Sequence, residues 1–210
     1  MVTIDRMQST LIHLAEQIRN AAGNGTPLRI RGGGTKDFYG QTLSGDILDT
    51  RVLSGVSSYE PSELVVTALA GTPLAELEQL LAGQSQFLPF EPPHFGPATV
   101  GGMVAAGLSG PARAASGAVR DYVLGVQMLG AQGQALRFGG QVMKNVAGYD
   151  ISRLMAGSMG TLGLITEVSL KVLPRAVAQA TVRLEANQTD ALRWLNGWAA
   201  RPLPINASCW

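Results

Sequence analysis

The sequence predicts an α+β fold, and three observations predict it. Strand-like and helix-like segments alternate through the first half; a hairpin and a long apolar alternation follow in the second. Between them lie loops of small residues: the 26 glycines exceed the average of about 7%, and they sit among Val, Leu, Ile and Met, not in a polar linker. With 46% hydrophobic and 15% charged residues, the composition is that of a folded chain, since disorder combines low hydrophobicity with high charge.

The elements follow in order. Residues 5–22 place Leu11, Leu14, Ala15 and Ile18 on one helical face, and Gly23 and Gly25 supply the stop. Residues 27–31 alternate like a strand and run into Gly32, Gly33, Gly34 and Thr35. Ile47 and Leu48 suggest a short strand, and residues 63–70 (ELVVTALA) a buried one ending at Gly71. Leu74, Leu77, Leu80 and Leu81 then repeat at helical spacing. Four prolines in PFEPPHFGP (89–97) forbid both helix and central strand, which predicts a rigid extended loop. Residues 122–129 and 135–138 flank Gly130-Ala131-Gln132-Gly133 as a hairpin. The clearest strand puts Leu164, Thr166, Val168, Leu170 and Val172 on one face, with Pro174 ending it. After Pro174 glycines become rare, and TVRLEANQTDALRWLNGWAA reads as a strand, a turn and an amphipathic helix. A second unit is expected to begin there and to lack the chain needed for its own core.

Charge and cysteine content exclude several functions. Sixteen Lys and Arg against fifteen Asp and Glu leave a net charge of +1, without the broad positive field that nucleic acid or an anionic membrane would require. The apolar runs are too short and too interrupted for a transmembrane segment, and MVTIDRMQST has neither the basic start nor the apolar core of a secretory signal, so the expected address is the cytoplasm. The single cysteine, Cys209, excludes an internal disulfide and any iron–sulfur or zinc-thiolate site built from this chain's own thiolates.

Three segments carry the chemistry. In Arg31-Gly32-Gly33-Gly34-Thr35-Lys36, small residues let backbone N–H groups converge on an anion, with Thr35 as an added donor and Arg31 and Lys36 as counter-charge to a diphosphate. Three glycines alone fit a simple tight turn equally well. The spacing matches neither the P-loop nor the Rossmann glycine motif. The second segment runs from Pro97, Thr99, Val100, Gly101 and Gly102 through Ser109 and Gly110 to Ser116, Gly117 and Asp121. Its small side chains admit either close approach of a ligand to backbone or close helix packing. The third comprises residues 144–150 (KNVAGYD) and then residues 157–166 (GSMGTLGLIT), in which the turn Gly160, Thr161, Leu162, Gly163 feeds the strand at Leu164, Ile165 and Thr166. Taken alone, that turn is equally a strand-initiating device.

In this order the three segments resemble the flavin-binding domain of the FAD-linked oxidase superfamily, the vanillyl-alcohol oxidase type, over about residues 20–175. YEPSELVVTALAGTPLAELEQLL, the Gly-Tyr-Asp stretch and GSMGTLGLITEVSLKVLP are most similar to the smaller of the flavin subunits in bacterial glycolate oxidases. The resemblance implies two mixed α/β subdomains holding FAD between them. It makes residues 1–175 the FAD-binding domain and residues 176–210 the beginning of an incomplete cap or substrate domain. It places residues 31–36 on the FAD diphosphate, residues 99–102 and 109–117 along the ribityl and phosphate region, and residues 160–165 over another part of the cofactor.

The first loop has no His and residues 97–121 no Cys, the attachment points used by covalently flavinylated members, so FAD is expected to be held non-covalently. The implied function is hydride transfer from the α-carbon of a small 2-hydroxy acid such as glycolate to flavin, with electrons passing on to a larger flavin subunit and an iron–sulfur subunit. Those partners would account for any attachment to the inner membrane. No cluster of His or Arg suited to a hydroxy acid is visible, and an accessory, FAD-binding but non-catalytic subunit is the other reading, which the small net charge and the unfinished cap fit at least as well.

Single residues divide as follows. His94 either touches the flavin edge or is an exposed loop histidine, the commoner case; His13 is structural or superficial. The scattered methionines suit core gaps, and Trp194 and Trp198 suit packing. Asp121, Asp150 and Lys144 stand inside the flavin-like segments, but turn residues satisfying local N–H groups are at least as common there.

Overall fold

The structure, a computed structural model, describes residues 4–141 and 148–210. Lys144, Asn145, Val146 and Ala147, the start of the third expected segment, lie outside the described residues. The elements are α1 (Ile4–Asn24), β1 (Leu28–Arg31), β2 (Asp46–Asp49), β3 (Val56–Glu60), β4 (Val65–Leu69), α2 (Leu74–Ala82), β5 (Gln86–Phe87), α3 (Val100–Ala106), α4 (Arg113–Ser116), α5 (Val119–Tyr122), β6 (Val123–Leu129), β7 (Ala135–Gly139), α6 (Ile151–Leu154), β8 (Leu164–Lys171), β9 (Leu173–Pro174) and α7 (Gln188–Ala199).

The centre is a five-stranded sheet in the order β3-β4-β8-β6-β7, antiparallel throughout. β8 lies between β4 and β6, and both of its faces are largely buried, which is why its sequence is apolar on one face and tolerates Ile165 and Ser169 on the other. Ser169 meets the Thr67 hydroxyl at 2.9 Å, so the polar pair satisfies itself inside the sheet. Helices α2 and α3 cover one face; Leu74, Leu77, Leu81, Val100, Met103 and Val104 join Val66, Val168 and Leu170 in the main core. Leu80, grouped with the buried leucines by spacing, is exposed.

A smaller unit stands at one end of this sheet. β1 and β2 pair in parallel, and Leu14, Ala15 and Ile18 of α1 pack with Leu48, Leu53 and the strand-end residues Leu69, Leu129 and Leu164. Two apolar clusters therefore meet where β4, β6 and β8 end. The mixed strand-and-helix class and the two-part arrangement both follow from this packing.

The structure decides one open reading, overturns another and adds three short strands. Residues 99–107, open in the sequence between a ligand-facing stretch and a packed helix, form a helix capped by Thr99 and closed by Gly107 in the left-handed region. Its glycines serve packing: a Cβ on Gly101 would stand 2.6 Å from that of Ala70 on the strand side. Residues 181–185 are not a strand, since residues 176–187 carry no regular structure and Val177, Val182 and Leu184 are exposed. Alternation defines two faces, but a strand also needs a neighbour for its N–H and C=O groups, and none pairs here among the described residues. Strands β3, β5 and β9 were not anticipated, being short and weakly patterned.

Candidate functional site

A cleft opens where the smaller unit meets the sheet, lined by residues 29–37, by Thr99, Gly101, Gly102 and Ala105, and by Met159, Gly160, Gly163 and Ile165. All three segments singled out in the sequence reach it. Strand β1 carries the chain into the first loop, whose three glycines are demanded by three different neighbours. A Cβ on Gly32 would strike the Thr99 side chain; one on Gly33 would strike the Pro97 carbonyl. Gly34 has φ +69°, and the Arg31 guanidinium occupies the space beside it.

The loop's backbone donors are unspent. The N–H groups of Gly33, Gly34, Thr35 and Lys36 meet no acceptor among the described residues, whereas Asp37 N–H closes the turn on the Gly34 carbonyl at 3.3 Å and Tyr39 N–H reaches the Lys36 carbonyl at 3.0 Å. Four successive donors around a left-handed glycine make a nest for an anion.

The charges around the nest are unequal in their commitments. The Asp37 carboxylate accepts from the Arg29 guanidinium at 2.5 Å and from Arg31 Nε at 3.0 Å. Partial desolvation by itself would raise the Asp37 pKa, but the hydrogen bonds from Arg31 and Arg29 outweigh it and hold the carboxyl below its ordinary range. Lys36 has no carboxylate partner among the described residues. Its ammonium lies 3.5 Å from Thr35 Oγ1 and 5.9 Å from the centre of the Phe95 ring, and burial lowers its pKa.

Of the residues expected to hold the cofactor, Arg31, Gly32, Gly33, Gly34, Thr35, Lys36, Thr99, Gly101, Gly102, Gly160, Gly163 and Ile165 line the cleft. The others do not. The Pro97 carbonyl backs Gly33, and Val100 is fully buried, its N–H bonded to the Thr72 carbonyl. Ser109 Oγ accepts from Val119 N–H, Ser116 donates to the Pro89 carbonyl, Gly110 packs on Glu91, Gly117 and Asp121 shape the start of α5, and Thr161 donates to the Ser158 carbonyl. These contacts give that set local structural work in the segment beyond α3 and in the turn before β8.

His94 is clear of the cleft, bonded at 2.9 Å to Glu78 of α2, and His13 contacts Gln17 on an exposed face of α1. Asp150 caps α6 through Arg153 N–H. Sequence reasoning missed Arg29, Asp37 and Tyr39. A signal for Asp37 was present: Arg29 and Arg31 share one face of β1 by the period of two, and two guanidiniums side by side call for an acid. Within the third segment, the Ser158 hydroxyl is buried with no hydrogen-bond partner among the described residues.

The family profile described as FAD binding domain matches residues 9–139, more than half of the chain. The chain belongs to this FAD-binding family. FAD is its cofactor, and the cleft fits that assignment: it offers unspent backbone donors, glycines pressed so close to their neighbours that no side chain intrudes, and cations at its rim. β8, beyond the matched residues, is inserted between β4 and β6, which lie within them, so the central sheet is not complete at residue 139.

The chain is 50% identical over 198 residues, 94% of its length, to glycolate oxidase subunit GlcE of Escherichia coli, and covers 57% of that protein. It is 30% identical over 167 residues to glycolate oxidase subunit GlcD of Bacillus subtilis, covering 79% of this chain and 36% of that one. A D-lactate dehydrogenase of Archaeoglobus fulgidus is 34% identical over 184 residues, 85% of this chain and 41% of the relative. The chain thus spans between about a third and three fifths of the length of these relatives. No helix among the described residues is long and apolar enough to cross a membrane.

Proposed function

We propose that this chain is the FAD-binding subunit of a dehydrogenase complex that oxidises a small 2-hydroxy acid, glycolate in the first instance. The observation that carries the reading is the 50% identity to a glycolate oxidase subunit across nearly the whole chain. Bound FAD would accept hydride from the substrate's α-carbon and release electrons singly. The chain's own part is to grip the cofactor: the N–H groups of residues 33–36 take the diphosphate, Thr99 and Gly102 line its continuation, and Gly160, Gly163 and Ile165 close the opposite wall. Attachment is non-covalent: the described residues lining the cleft include neither His nor Cys, the attachment points of covalently flavinylated members.

Residues 1–175 form the FAD-binding domain, and residues 176–210 belong to a separate cap or substrate unit. Supporting this division, α7 buries only Ala191, and Trp210 Nε1 donates to Ala186, within the same segment. The partners are a larger flavin subunit, in keeping with the subunit names of the relatives, and an iron–sulfur subunit that takes the electrons one at a time from the flavin. A cytoplasmic setting, with contact to the inner membrane through those partners, agrees with a free, exposed Cys209.

One feature favours a second reading, an accessory flavin subunit without turnover of its own: among the described residues lining the cleft there is no histidine to act as base. Anaerobic addition of glycolate to the flavin-loaded chain separates the two. Bleaching of the flavin absorbance without partners supports a catalytic subunit; bleaching only when a partner is added supports the accessory one. Failure to bleach in the assembled complex with glycolate or D-lactate would defeat the proposed function.

A further inference from the structure

The cleft rim carries three cations and one acid, Arg29, Arg31, Lys36 and Asp37, and the geometry divides them unequally. Asp37 draws both guanidiniums onto a single oxygen, Oδ2, with Arg29 at 2.5 Å and Arg31 at 3.0 Å. Arg31 is further pinned because its guanidinium lies against Gly34, in the space a side chain there would need. A guanidinium already engaged with a carboxylate and laid along the loop has fewer N–H groups free for a ligand. Lys36 differs on each count. Among the described residues it has no carboxylate partner, its one polar side-chain contact is the long 3.5 Å approach to Thr35, and its ammonium lies over the Phe95 ring, 5.9 Å from the centre, at the end of the run of unspent N–H groups to which its own backbone belongs.

We propose that Asp37 is a positioning residue that withdraws Arg29 and Arg31 from anion binding and braces the loop, leaving Lys36 as the side chain that compensates the diphosphate charge. This rests on the reading of residues 33–36 as the diphosphate site. It distinguishes two residues, Arg31 and Lys36, that the sequence offers as equals. A consequence is a titratable contact: guanidinium keeps its charge at every accessible pH, whereas an ammonium half-buried at the cleft rim gives up its proton in the alkaline range. The other charged or titratable groups lining the same cleft are Arg29, Arg31, Asp37 and Tyr39, while the proline loop contributes Phe95 and the third segment Met159, Gly160, Gly163 and Ile165. Tyr39→Phe therefore serves as the control for the phenol lining the same cleft.

The test uses the full chain freed of flavin, with ADP as the probe that carries a diphosphate and adenosine as the probe that does not, titrated calorimetrically between pH 7 and about 10.5. The expected result is ADP binding that weakens toward the alkaline end, in parent and in Tyr39→Phe alike, with adenosine indifferent to pH. Lys36→Gln weakens ADP about tenfold at pH 7, as for one charge-assisted hydrogen bond, and removes the alkaline limb. Lys36→Arg retains ADP affinity and also removes the limb. Asp37→Asn releases a guanidinium to share the anion and leaves a shallower limb; Asp37→Glu restores it. An alkaline limb that survives Lys36→Arg, or an Asp37→Asn profile identical to the parent's, overturns the assignment. If the parent itself binds ADP no more tightly than adenosine, the diphosphate reading fails first, which separates the two failures.

Discussion

Gly33→Ala tests how the first loop is seated. The φ of Gly33 is not in the left-handed region, so alanine brings no conformational strain and the effect is one of space alone. The new Cβ would stand 2.9 Å from the Pro97 carbonyl carbon and closer still to its oxygen, where ordinary contacts begin at 3.4 Å. The loop must therefore retreat by about 0.5 Å for the carbon and by roughly an ångström or more for the oxygen. A retreat of that size lengthens N–H to phosphate bonds from about 2.9 Å toward 4 Å, beyond useful range. Losing one or two hydrogen bonds to a charged group costs about 3 kcal/mol, near a hundredfold in FAD affinity. The fold should lose no more than about 1–3 kcal/mol, since the clash is local. Quenching of flavin fluorescence on titration gives the affinity, and thermal melting of the flavin-free protein gives the stability. Gly23→Ala, in α1 with nothing within 4 Å of the new Cβ, is the control and should change neither by much. An unchanged FAD affinity in Gly33→Ala would show that the loop's contact with Pro97 does not hold the phosphate donors in place.

Three further outcomes are expected. Gly101→Val drives a branched side chain into Ala70 across the contact between α3 and β4, and should lower the melting temperature by several degrees even without flavin; an unaltered melt would refute the packing role. The arginines hold the Asp37 carboxyl below its ordinary range, so its ion pairs persist above the usual carboxylate pKa and are lost as pH falls through the lowered value. The melting temperature of the flavin-free protein should accordingly keep the contribution of this brace from pH 8 to about 4 and lose it below that, with the step absent from Asp37→Asn; identical profiles in parent and variant would refute the bracing role. His94→Ala breaks the contact with Glu78 outside the cleft and should leave FAD affinity within about twofold; a larger loss would place His94 in the site after all.

Much of the fold was legible because its signals are local. The face of α1, the buried strand at residues 65–69, the leucine spacing of α2 and the hairpin of β6 and β7 each follow from period and punctuation. β3 has Ser57 and Ser58 where a pattern would need apolar residues, and it forms because β4 offers an edge. The failure at residues 181–185 is the converse: the pattern is there, but no edge receives it.

At the site, the first loop was readable from its glycines, but the reason for each lay in residues far along the chain, Thr99 for Gly32 and Pro97 for Gly33. Small residues at 99–106 fit a ligand-facing loop or a packed helix equally well, and only Ala70 decides in favour of the helix. The division of charge between Arg31 and Lys36 was invisible because it depends on which way Asp37 turns.

The central claim is that this cleft holds one FAD without a covalent bond. Reconstituting the purified chain with excess FAD, passing it through a desalting column and then precipitating it with acid measures that claim directly. The account predicts a yellow protein carrying about one FAD per chain, with all of the colour released to the supernatant, in keeping with a cleft that offers unspent backbone donors and a lysine to the phosphates. A folded protein that leaves the column colourless, or one whose flavin stays in the pellet, would contradict it.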